Sequence, residues 1–290
     1  MEITLVLRFI AVVGLAPLVS GCITKAKNTL RMRKGQSVFQ PYYNLIKLSG
    51  KNEAISVTAS WIFRTAPFVV FASSLAGLFL VMPVSRGANP FGDCLALVFV
   101  LALGRFFLAL AALDAGSPFG GMGSSREMFI SSLAEPAACL AFFAMALKAK
   151  STLVAQMGLG LGQLSTVGAC AALFLVALAE TSRIPVDNQE THLELTMIHE
   201  AMVLKYSGRR LAVLEFSSYL KQMVWFGLIA YLLFPGASAG LFALAIAGLM
   251  LLTALIEVSV AKMRLFRAVD YFGFALVLSL MAAAGALFGV

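Results

Sequence analysis

Residues 222–256 read QMVWFGLIAYLLFPGASAGLFALAIAGLMLLTALI, without a single charge between Lys221 and Glu257. A bilayer core takes about 20 apolar residues per helix, so this run is too long for one crossing. Pro235-Gly236 splits it, which predicts two antiparallel spans joined by a tight turn. The same pattern recurs along the chain and gives eight spans, near residues 3–21, 65–85, 94–113, 128–147, 163–180, 211–234, 237–257 and 271–290. The expected fold is therefore an all-α integral membrane protein, a bundle of about eight transmembrane helices in a single membrane domain, 1–290.

Composition agrees. Of 290 residues, 60% are hydrophobic and 12% charged, and the mean hydropathy is +0.92. A water-soluble domain cannot cover itself with so few charges. The net charge of +8 fits lysines and arginines held at the cytoplasmic face better than a nucleic-acid surface. The segment 22–64 carries Lys25, Lys27, Arg31, Arg33, Lys34, Lys47, Lys51 and Arg64, and the segments 181–210 and 258–270 are also basic. The opposite connections hold little more than Arg86, Lys148 and Lys150. This asymmetry places 22–64, 114–127, 181–210 and 258–270 in the cytoplasm and both termini outside. Val19-Ser20-Gly21-Cys22 looks like a lipoprotein cleavage site, but Glu2 and a lone Arg8 make a poor basic leader, so a retained first helix is expected. Phe39–Leu48, FQPYYNLIKL, is too short to cross and suits an amphipathic helix at the cytoplasmic interface. Cys22, Cys94, Cys139 and Cys170 lie far apart, with no metal-ligand spacing.

Charges inside apolar spans are expensive unless paired or facing a polar interior. Arg105 sits in the third span, Glu135 in the fourth, Glu215 and Lys221 in the sixth, and Glu257 closes the seventh. They are candidates for an ion path or for structural ion pairs. The six-residue spacing of Glu215 and Lys221 does not stack them on one face, so Lys221 should find its partner on another helix.

Between the fifth and sixth spans lies ETSRIPVDNQETHLELTMIHE, residues 180–200. Pro185 should end the fifth helix near Glu180. Arg183 and Asp187 could pair across the turn. A helix is expected to resume near Glu190, with His192, Leu195, Thr196, His199 and Val203 on one face and Glu190, Glu194, Met197, Ala201 and Lys205 on the other. The two histidines would stand roughly 10 Å apart, too far to share a metal. Glu180, Arg183, Asp187, Glu190, His192, Glu194, His199 and Glu200 make this a charged loop that can titrate near neutrality.

These residues carry a resemblance. AETSRIPVDNQETHLELTMIHEAMVLKYSG at 179–208, GRFFLALAALDAGSPFGGMGSSREMF at 104–129, LAEP at 133–136 and EVSVAKMRLFR at 257–267 are similar to the membrane subunit shared by respiratory complex I, as its subunit 1, and the energy-converting membrane-bound [NiFe]-hydrogenases, in particular the formate hydrogenlyase subunit 4 type. The frame E-T-x-R-x-P-x-D is intact, and the histidines match the hydrogenase-type pattern. Gln189 stands where the family commonly has proline, and Lys205 where it has an acid.

The resemblance implies an anchor and coupling subunit of a redox-driven proton- or sodium-translocating complex in a bacterial or archaeal cytoplasmic membrane. It would carry no catalytic site or cofactor of its own. Iron–sulfur clusters and a [NiFe] centre would lie on docked hydrogenase-like large and small subunits and an iron–sulfur protein, with antiporter-like membrane subunits alongside. The charged wall of the loop would be Glu180, Arg183, Asp187, Glu190, Glu194 and Glu200, with Glu135 and Glu215 behind it. A quinone-cavity subunit of a complex I-like oxidoreductase is the alternative. A stand-alone secondary transporter is the second, and lacks the inverted repeat such proteins often show.

Overall fold

A computed structural model describes residues 2–54, 59–82, 92–187 and 197–288, with side chains from residue 6. Glu190, His192 and Glu194 lie outside the described residues. What is described is helical: α1 (Glu2–Leu30), α2 (Gln40–Ser49), α3 (Trp61–Val81), α4 (Cys94–Asp114), α5 (Pro118–Ala149), α6 (Val154–Met157), α7 (Leu164–Glu180), α8 (His199–Val203), α9 (Gly208–Leu233), α10 (Ala239–Ser259) and α11 (Ala268–Phe288).

Local chemistry sets the helix starts. Ser60, Asp93 and Ser238 each accept a backbone N–H of the first turn of α3, α4 and α10. Ser117 does the same for α5, with Pro118 at the first helical position. At the Pro235-Gly236 split, α9 ends at Leu233 and Gly236 takes φ +73°, a conformation open to glycine.

Six helical segments are long and apolar enough to cross a bilayer: Val6–Leu30, Trp61–Val81, Cys94–Asp114, Pro118–Ala149, Ala239–Ser259 and Leu265–Phe288. The chain is a multi-pass membrane protein. The other two expected spans are present as helices of a different character. The seventeen residues of α7 are apolar but short, and α9 carries Arg209, Arg210, Glu215 and Lys221. Both are central: Leu173 and Leu178 of α7 and Phe226, Leu228 and Ile229 of α9 are shut off from the surface. A helix hidden by its neighbours need not be apolar on every face.

Two boundaries differ from expectation. The first helix does not stop at residue 21 but continues to Leu30. Its last turns are held by Ile23 in the core and by a buried Lys27. The connection 114–127 is mostly helix, because the Ser117-Pro118 start lets α5 begin ten residues before the expected 128. Helix α2 forms where FQPYYNLIKL predicts it and lies against α1. At Gly21 the backbone oxygen of Val38 comes so near that a Cβ would sit 2.0 Å from it, and the Tyr42 hydroxyl donates to the Gly14 carbonyl at 2.5 Å. Helices α3 and α4 meet as closely at Gly104, where a Cβ would stand 2.2 Å from Ser73 Oγ. Small residues permit such approaches between membrane helices.

Candidate functional site

The geometry of the site begins at the last residue of α7. The N–H of Arg183 bonds the Leu178 carbonyl at 2.8 Å and that of Ser182 bonds the Ala179 carbonyl at 2.9 Å. Ser182 takes φ +53°. Together these make a Schellman stop, with serine in the place glycine usually holds. The helix ends at Glu180, as Pro185 leads one to expect. The reversal leaves Glu180 within the bundle and sends Arg183 and Asp187 to different neighbours.

Glu180 is the hub of one cluster. Arg105 of α4 donates through Nη1 to Glu180 and through Nη2 to Glu135 of α5 at 2.7 Å. Lys221 of α9 pairs with the other oxygen of Glu180 at 2.8 Å. The side chain of Glu180 is 5% exposed and that of Glu135 is 42% exposed, so the chain of charges runs from a shut interior toward an open edge. Lys221 thus finds its acid on another helix, as its spacing from Glu215 requires. A small cavity of about 40 Å³ is lined by Arg105, Glu127, Glu180, His199, Ser217 and Lys221, among others. Its size and polarity suit water.

Arg183 anchors a second cluster. It donates through Nη1 to Glu257 of α10 at 3.0 Å, and through Nη2 to Ser20 of α1 at 3.1 Å and Gln222 of α9 at 3.0 Å. Lys27 pairs with the second Glu257 oxygen at 3.1 Å. Asp187 anchors a third. It accepts from Lys262 at 2.6 Å and, through its other oxygen, from the N–H groups of Ile198 and His199 at 3.2 and 3.0 Å. The expected Arg183–Asp187 pair is thereby corrected, because each residue has a better-placed partner across the bundle.

The expected helix from Glu190 to Lys205 also needs correction. Met197 and Ile198 are not helical, and α8 starts only at His199, where Asp187 caps its first N–H groups from outside. The Met197 carbonyl is taken by Arg126 at 3.1 Å. Opposite-face partners such as Met197 and Ala201 therefore do not share one continuous helix. His199 stays beside the small cavity. Burial, and then the charge of Lys221, push its imidazole down to about 4 against the pull of Asp187. It is a neutral imidazole at pH 7. Glu200 follows it, half-buried, and acts electrostatically on Glu215, one oxygen of which is buried without a hydrogen bond.

Lys27, Glu127 and Lys262 were not among the residues the sequence singled out. Lys27 counted as one loop cation among eight. Its signal was the face it shares with Ser20 and Ile23, at helical spacing. Lys262 and Glu127 had no such signal. Among the described residues, no group of three or more His, Cys, Asp or Glu could hold a metal ion.

Comparison with known proteins gives a consistent result. The family described as NADH dehydrogenase matches residues 2–287. Hydrogenase-4 component C of Escherichia coli K12 is 34% identical over 76% of this chain and 71% of its own length. Formate hydrogenlyase subunit 4 of the same organism is 32% identical over 73% of this chain and 70% of its own. In fold, the chain is similar to one in the membrane-bound sulfane sulfur reductase, an archaeal respiratory membrane complex, with a TM-score of 0.85 over 98% of this chain and 99% of that one, at 17% identity.

Proposed function

Because this chain belongs to the NADH dehydrogenase family, we propose that it is the membrane anchor and coupling subunit of a redox-driven ion-translocating complex of the membrane-bound hydrogenase or formate hydrogenlyase type. Its relation to two hydrogenase-type subunits over more than two thirds of each supports that branch over the quinone-cavity reading. In this reading one membrane domain crosses the bilayer eight times, with α7 and α9 as the two inner crossings and α2 at the cytoplasmic interface. Both termini lie outside. The charged loop faces a docked arm whose hydrogenase-like and iron–sulfur subunits hold the redox centres, and antiporter-like subunits flank the bundle in a bacterial or archaeal cytoplasmic membrane.

The observation that carries the proposal is the line Glu135–Arg105–Glu180–Lys221, which begins at the loop and ends at a half-exposed carboxylate in α5. Glu180 is shared between two cations. Added charge near the loop shifts which cation it holds, and Arg105 transmits that shift to Glu135, where a proton can be taken or given. His199, neutral and beside the same cavity, can accept a proton when negative charge arrives next to it. Glu190, His192 and Glu194 are proposed to act in the same charged loop, and Glu200 and Glu215 as a second carboxyl pair beside it.

The test is ion movement per electron in vesicles holding the whole complex. Glu180→Gln and Glu135→Gln complexes should assemble, keep electron transfer and lose most coupled ion movement. Normal ion movement per electron in both variants refutes the proposal.

A further inference from the structure

At the end of the bundle away from Glu180–Asp187, helices α1, α3, α9 and α10 stand apart and leave a crevice of about 830 Å³. Its mouth is set by Met82, just past α3, by Phe234, just past α9, and by Ser238, just before α10. It deepens past Leu78 to Met223. From Phe234 back to Met223 is eleven residues of α9, roughly 16 Å at the helical rise. Half of a bilayer core of about 30 Å is nearly the same depth. The crevice is thus about as deep as one leaflet. The wall is apolar along that depth, and the Tyr231 hydroxyl beside it is engaged by the Ala155 carbonyl at 2.6 Å. Gly227 keeps one side smooth: a Cβ there would meet only Val81 Cγ1, at 3.9 Å.

Among the described residues one charge lines this space, the exposed Arg8 of α1, and no carboxylate does. Arg8 forms no ion pair among the described residues. It lies in the second turn of α1, near the crevice mouth, the end at which a lipid headgroup would enter. A guanidinium fork matches a phosphate oxygen pair and holds its charge at any pH.

We propose that this crevice binds an anionic phospholipid, its phosphate on Arg8 and its acyl chains along α3 and α9. Volume, depth, apolar walls and the Arg8 guanidinium near the mouth all match that one ligand. A transmembrane helix from a neighbouring subunit would fill the space but would leave Arg8 to find a carboxylate of its own.

The experiment reconstitutes the intact complex into nanodiscs of phosphatidylglycerol and phosphatidylcholine and counts lipids retained through detergent stripping by native mass spectrometry. The wild type should retain phosphatidylglycerol over phosphatidylcholine. Arg8→Gln should lower that retention about tenfold, the size of one charge-assisted contact, and Arg8→Lys should restore part of it. Gly227→Leu, which fills the crevice without touching Arg8, should expel the lipid as well. Equal retention by wild type and Arg8→Gln overturns the proposal. So does a cysteine at Ala11 that crosslinks to a helix of another subunit in the membrane-embedded complex.

Discussion

Arg105 serves two carboxylates with two different nitrogens of one charged fork, which a lysine in its place could not do. Arg105→Met would leave Glu180 with Lys221 alone and should cost about 1.5–3 kcal/mol, the range for a lost hydrogen bond to a charged group. Arg105→Lys keeps the charge but not the fork, so it should recover only part of that loss in thermal unfolding of the purified complex. His199 supplies a pH dependence of definite sign. Its folded pKa of about 4 lies below the free value of 6.5, so the unfolded chain binds more protons between those limits. Its contribution is complete above about pH 6.5 and is lost as pH falls toward 4. His199→Gln should flatten the fall in melting temperature over that window. A variant that falls as steeply as the wild type would show that other groups set the dependence. Arg105, Glu135, Lys221 and Glu257 were legible as residues, since each interrupts or closes an apolar run, whereas Lys27, Glu127 and Lys262 were not. Nor were the pairings. Arg183 and Asp187, four apart, looked like partners, yet Glu257 and Lys262 reach them from elsewhere in the bundle.

At the scale of elements, helix existence was written in hydropathy and Pro-Gly punctuation, whereas helix length was not. Both α1 and α5 overrun their expected limits, because the residues beyond the apolar run bury polar groups against neighbours rather than against lipid. Lys27 is the clearest case: its cost within a helix is offset by Glu257, a residue 230 positions away. The packing of α2 on α1 depends on Gly21. Gly21→Ala would place a Cβ on the Val38 carbonyl and should push the segment 37–42 outward, breaking the Tyr42–Gly14 hydrogen bond. A loss of about 1–3 kcal/mol is expected, with faster hydrogen exchange confined to α2. Unchanged exchange there would show that the approach has slack. The α8 start, by contrast, could not be read locally, since its cap is supplied from Asp187, eleven residues before Ile198.

Across the whole molecule, Lys27–Glu257 joins α1 to α10, and Arg183 joins both to the end of α7. Lys27→Met and Glu257→Gln should each destabilise the complex, and the double variant should lose less than the sum of the two. A strictly additive result would mean that the pair contributes no coupling. The small 40 Å³ cavity and the large crevice lie at opposite ends of α9, the first lined by Arg105, Glu127, Glu180, His199 and Lys221, the second with Arg8 as its charge among the described residues. A single helix thus faces charge chemistry at one end and hydrocarbon at the other, which is why α9 mixes Glu215 and Lys221 with an apolar second half.

The alternating charges of Glu180, Arg183 and Asp187 also bear on how such a protein can be re-engineered. Their partners stand on α1, α4, α9 and α10 and beyond, at Ser20, Arg105, Lys221, Glu257 and Lys262. A graft that imports a relative's version of residues 180–187 alone would bring charges whose counterparts stayed behind. The segment and its scattered partners therefore form one unit of exchange, and a working chimera must carry them together.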